Sequence, residues 1–71
     1  MLKKQRKRRR LTQKQLGRMC NLSQGYISEL EREDFFHSPT IKQIIALSKA
    51  LDLSPLELSS YFIEKEICYK R

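Results

Sequence analysis

Apolar residues in the first half of the chain recur at helical spacing. Leu16 and Cys20 are four apart, and Ile27 and Leu30 are three apart. Each pair therefore stacks on one face of its own short helix. The pattern predicts five helices. The first runs from Leu2 to about Arg9, the second over 13 to 20 and the third over 24 to 32. A loop at 33 to 38 leads to a fourth helix over 39 to 51. Its Ile41, Ile44, Ile45, Leu47, Ser48 and Leu51 cover an arc of about 160°, wide enough for the central element of a small bundle. A fifth helix starts at Pro55 and, with no Gly or Pro to stop it, continues well past Tyr61.

Polar punctuation agrees with these spans. Thr12 and Ser23 are hydroxyl N-caps, and Gln15 completes a capping box with Thr12. Asn21 stands where the second helix must end in left-handed geometry, which Asn tolerates better than other non-Gly residues. Gly17 leaves no side chain where two steeply crossing helices would collide. Ser38 is read as the cap of the fourth helix with Pro39 in its first turn. Ser54-Pro55-Leu56-Glu57 reads as a further capping box with Pro at the first helical position. The first helix is the least regular. Gln5 occupies an inner position, only Leu2 anchors that face, and Arg10 sits at a turn where Gly or Asn is usual. One of Phe35 and Phe36 is expected to plug the core. The lone His37 reads as a surface residue.

Two short helices joined by a tight turn over residues 13–32 form a helix-turn-helix. The run Ser23-Gln24-Gly25-Tyr26-Ile27-Ser28-Glu29-Leu30-Glu31-Arg32, with Thr12-Gln13 and Leu16-Gly17, resembles the Cro/CI phage-repressor family, also called the xenobiotic-response-element type. Pro39-Thr40-Ile41, Ile44, Leu47 to Leu51 and Leu53 to Leu58 extend the likeness, which covers roughly residues 2 to 61. The resemblance extends to restriction-modification controller proteins. It implies an all-α, compact five-helix bundle of the phage-repressor DNA-binding type, with residues 1–71 as a single domain.

In such a motif the second helix enters the major groove and offers its N-terminal residues to base edges. With Ile27 and Leu30 turned inward, Gln24, Gly25, Ser28 and Glu29 face outward. A carboxamide at Gln24 can pair bidentately with adenine. Glu29 either accepts from a cytosine amino group or repels phosphates, and Gly25 permits close backbone approach. Tyr26 can pack its ring beside the second helix while its hydroxyl reaches a phosphate. Gln13 is placed to bind a phosphate, a role the family resemblance also implies. Ser23 and Arg32 complete the candidate DNA-contacting set. The resemblance further implies a structural ion pair between Arg6 and Glu31.

Charge sharpens this picture. The first 28 residues hold nine of the 15 basic side chains and no acid, whereas all eight acids lie beyond them. The net charge of +7 is thus an N-terminal property, and beside a helix-turn-helix it points to a phosphate-facing surface. Seventy-one residues allow one small core. No apolar run approaches a membrane span, and no signal-peptide core follows the basic start. Cys20 and Cys68 form no metal-ligand spacing; Cys20 reads as a buried small hydrophobe and Cys68 as a free tail thiol. Nucleophile–base pairs and phosphate-cradling Gly loops are absent, so no enzyme activity and no cofactor are expected.

The expectation is a cytoplasmic, sequence-specific transcriptional regulator, a repressor or autoregulatory controller, binding double-stranded DNA as a homodimer. The outer residues Leu56, Ile63 and Ile67 of the fifth helix are the expected dimer contact. An antitoxin-like protein that sequesters a protein partner, and charge-driven nonspecific binding, are the competing readings.

Overall fold

The computed structural model describes residues 2–32 and 38–69, the last of these by its backbone only. Among the described residues five helices follow one another: α1 (Leu2–Arg8), α2 (Gln13–Cys20), α3 (Gln24–Glu31), α4 (Ile41–Leu51) and α5 (Pro55–Tyr69). There is no strand among the described residues. Phe35, Phe36 and His37 lie outside them, as does the side chain of Tyr69.

Three of the four connections are built on one tripeptide. Arg10-Leu11-Thr12, Asn21-Leu22-Ser23 and Asp52-Leu53-Ser54 each begin with a left-handed residue, at φ of 57°, 58° and 58°. Each then returns a Leu amide to a carbonyl five residues back: Leu11 to Arg6 at 3.1 Å, Leu22 to Gly17 at 2.7 Å, and Leu53 to Ser48 at 2.8 Å. Together with the accompanying three-residue bonds from Arg10, Asn21 and Asp52, this is the Schellman geometry, which satisfies carbonyls that a helix end leaves unpaired. All three leucines pack on the core. The third residue of each tripeptide opens the next helix. Thr12 and Ser23 accept from the third helical amide, and the Ser54 hydroxyl accepts from Leu56 at 3.2 Å.

The fourth helix starts later than the Pro39 pattern suggests. Thr40, not Ser38, is its cap, and Thr40 and Gln43 form a reciprocal capping box. Pro39 is buried in the approach to the helix. The T-x-x-Q signal was present in the sequence, but Pro39 competed with it. The third helix also stops at Glu31, and the first at Arg8.

The core joins Leu2, Leu16, Ile27, Leu30, Leu47, Leu51 and Leu58, all essentially inaccessible, with Phe62, Ile44, Cys20 and Ala50 around them. The expected arc of α4 is narrower than the pattern implied. Ile41 is 76% exposed and Ile45 39% exposed, while Ala50 takes a core place. The reason is positional: α2 and α5 cover the two sides of α4 and leave the strip between them open. Conversely, α1 is better anchored than Leu2 alone would make it. Arg6 is buried, and Gln5 donates through Nε2 to the carbonyl of Leu51 at 2.9 Å. An apparent defect in the apolar pattern thus caps the C-terminal end of α4.

Candidate nucleic-acid interface

The geometry of the α2–α3 unit begins with Gly17. A Cβ at that position would stand 2.5 Å from the carbonyl oxygen of Leu22, a distance no methyl group can occupy. Absence of the side chain lets the turn close tightly against α2, so the obstacle is turn backbone rather than a second helix. Ile27 and Leu30 are fully buried beneath α3. Gln24, Gly25 and Glu29 are exposed, and Ser28 is half-buried. A Cβ added to Gly25 would meet nothing within 4 Å, so the fold itself makes no steric demand for glycine there.

Ser23 accepts from the amide of Tyr26 at 3.0 Å; its hydroxyl therefore serves the start of α3. Tyr26 is half-buried against the core. Its hydroxyl donates to Oε1 of Gln43 at 3.1 Å, the same oxygen that accepts from the Thr40 amide at 2.9 Å. The first turn of α3 is thereby linked to the first turn of α4. Burial, reinforced by the Glu29 carboxylate, pushes the Tyr26 hydroxyl pKa up and keeps it a donor. Gln43 is a residue that the sequence pattern did not single out for this surface.

Gln13 opens α2 and is half-buried. Its Nε2 donates to Oε1 of Glu31 at 3.0 Å. The same carboxylate receives Arg6, with Nε 2.5 Å from Oε2 and Nη2 3.2 Å from Oε1. The side chains of Arg6 and Glu31 are only 9% and 4% exposed. Arg6 spends a third donor, Nη1, on the carbonyl of Leu11 at 2.7 Å. One carboxylate therefore ties α1 to α3 and holds the carboxamide at the start of α2. The side-chain amide nitrogen of glutamine carries two hydrogens, so Gln13 retains one beyond its bond to Glu31.

Arg32 closes α3, and its carbonyl accepts from Nζ of Lys65 at 2.8 Å. Its side chain is exposed. The basic block is not a loose tail. Lys3, Lys4, Lys7, Arg8, Arg9 and Arg10 are exposed on or just after α1, which Arg6 fastens to α3. Leu56, Ile63 and Ile67 all lie on the exposed side of α5, remote from this network in sequence, and Ile63 and Ile67 line a cleft against α4.

Among the described residues no cluster of side chains is suited to hold a metal ion, and no helix is long and apolar enough to cross a membrane. A family model described as helix-turn-helix matches residues 2–58. No curated protein and no solved structure matches the chain. The matched span runs from the basic helix through both motif helices and α4 into the start of α5. The chain belongs to the Cro/CI-type helix-turn-helix family of DNA-binding transcription regulators.

Proposed function

We propose that this chain is a sequence-specific regulator, a repressor or autoregulatory controller, that binds a near-palindromic operator in the cytoplasm as a homodimer. The observation that supports it best is the division of α3. Ile27 and Leu30 are wholly buried, while Gln24, Gly25 and Glu29 stand free on the opposite side. In this reading α3 lies in the major groove, and Gln24 supplies the direct readout. Ser28 and Glu29 refine it, and Gln13, Arg32 and the α1 cations grip phosphates. Ser23 and Tyr26 shape the first turn of α3 at the DNA. A homodimer would set two recognition helices about 34–36 Å apart, one turn of DNA.

Selection of bound sites from a random duplex pool, followed by titration, tests this. The expected product is a two-fold symmetric motif bound roughly 10³-fold or more above scrambled duplex. Gln24→Ala should weaken the selected site by about 1–3 kcal/mol and relax one base pair per half-site. Equal affinity for all sequences would instead mean charge-driven binding, and a stoichiometric protein partner without DNA selectivity would favour the antitoxin-like role.

A further inference from the structure

The exposed apolar surface is not confined to α5. Ile41 and Ile45, one helical turn apart, form a ridge along the outer side of α4. On one side of it lies a cleft of about 370 Å³ lined by Met19 of α2 with Lys42, Ile45 and Lys49. On the other lies a cleft of about 360 Å³ in which Ile41 faces Ile63 and Ile67 of α5. Met19, Ile41, Ile45, Ile63 and Ile67 are all at least one-third exposed. An apolar face of this kind, crossing three helices, is what a partner covers.

Charge is segregated across that face. Lys42 and Lys49 occupy its α2 flank, and both are exposed. Glu57 and Glu64, also exposed, occupy the opposite flank. At about 100° per residue they lie beyond Ile63 and Ile67 on the side of α5 turned away from α4. Residues at the start of α4 share a cleft with the far half of α5, so these two neighbours run antiparallel. Lys42 is therefore level with Glu64, and Lys49 with Glu57. Both pairs of like charges are seven residues apart, a rise of about 10.5 Å in each helix.

We infer that this face is the contact between two copies of the chain, related by a two-fold axis lying in the interface, parallel to α4 and over the cleft between α4 and α5. Such an axis sets the lysine flank of each copy on the glutamate flank of the other. Lys42 then meets Glu64 of the second copy, and Lys49 meets Glu57, each twice by symmetry. The perpendicular in-plane axis would oppose lysine to lysine and glutamate to glutamate. Antiparallel pairing through the outer strip of α5 alone would likewise bring Glu57 and Glu64 against their own kind. The inference deepens the homodimer of the proposed function: Ile41, Ile63 and Ile67 carry the centre of the contact, Ile45 lies beside them, and Leu56 lies at its end.

Sedimentation of the full chain and three variants tests it, with helical circular dichroism confirming that each variant folds. The wild-type chain should be a dimer at micromolar concentration. Lys42→Glu with Lys49→Glu, and separately Glu57→Lys with Glu64→Lys, should each weaken the dimer about tenfold or more. Mixing the two reversed chains should restore a heterodimer, and combining all four changes in one chain should restore the homodimer. A wild-type chain that stays monomeric overturns the proposal, as does a dimer indifferent to the lysine reversals, which would place the contact on α5 alone. Growth beyond two copies would overturn the two-fold arrangement. Because the readout is mass rather than DNA affinity, a chain that dimerises this way yet lacks sequence selectivity would refute the proposed regulator and leave this interface standing.

Discussion

The turns after α2 and after α4 are made of nearly the same three residues and end in different places. Asn21-Leu22-Ser23 and Asp52-Leu53-Ser54 share the left-handed start, the Leu amide returned five residues, and the hydroxyl that begins the next helix. They differ at the residue whose carbonyl receives that Leu amide. In α2 it is Gly17, with the Leu22 carbonyl so close that a Cβ would collide. In α4 it is Ser48, a buried side chain whose hydroxyl donates to the Ile45 carbonyl at 2.8 Å. The turn after α1 gives a third solution at the equivalent place. Arg6 fits its side chain there by donating to the Leu11 carbonyl. A shared local motif stops and restarts the chain, but the residue beneath the turn decides how closely the next segment can approach.

The largest contrast should come from the turn that depends on a charge. Glu31→Ala leaves the Arg6 guanidinium buried without its carboxylate, at a cost of about 3–5 kcal/mol. Thermal unfolding without DNA should show it plainly, and an unchanged midpoint would mean that the pair contributes nothing net. Because Glu31 also holds Gln13, Glu31→Gln offers a finer test. It should weaken DNA binding less when Gln13 is already alanine, and equal losses in both backgrounds would remove Gln13 from the coupling.

Next in size is the exchange that separates the two similar turns. Gly17→Ala must push the Leu22 carbonyl aside and should cost about 1–3 kcal/mol. Ser48→Ala removes one local hydrogen bond and should cost about 1 kcal/mol or less. Denaturant titration of both variants would undo the contrast if the order were reversed. Gly25 provides the opposite control within the same motif. Gly25→Ala should stabilise the free protein by about 0.5–1 kcal/mol, since nothing obstructs the new methyl group. If the α3 backbone approaches DNA as proposed, the same variant should bind its operator less tightly.

Smaller effects should follow from the left-handed residues. Arg10→Gly should raise stability by about 1 kcal/mol, whereas Asn21→Gly should gain less, because Asn already tolerates that conformation. Comparable gains at both positions would mean that side-chain type is immaterial there. The smallest effect concerns Cys20, which ends α2 where Leu51 ends α4. Burial pushes its thiol pKa up. The unfolded chain then ionises first, so this contribution is intact below the ordinary thiol pKa and is lost as pH rises through the raised folded value. Unfolding titrations of the wild-type chain and Cys20→Ala across that range should diverge; parallel curves would show that the thiol ionises equally in both states.

Most of the fold was readable because its determinants are local. Hydroxyl caps, a capping box, Asn21 and the spacing of Leu16, Cys20, Ile27 and Leu30 act within a few residues of one another, and the helices they mark stand where they predict. The family resemblance over most of the chain rests on those same positions. What escaped depends on neighbours distant in sequence. Gln5 was an irregularity until its partner, the Leu51 carbonyl, was brought 46 residues back to it. The partner of the Tyr26 hydroxyl within the fold, Gln43, lies 17 residues away on α4.

By itself, then, the sequence determined that there are five helices and where the second lies, which residues form the helix-turn-helix, and that the basic charge belongs to one end of the chain. Caps, left-handed turns and apolar periodicity are short-range, and no other part of the molecule has to be known to interpret them. Tertiary structure alone decided that Ile41 and Ile45 face outward, that one glutamate joins three helices, and that lysines of α4 and glutamates of α5 border a common face. A helical pattern specifies an apolar arc but not how much of it the neighbouring helices cover, and that coverage is a property of packing.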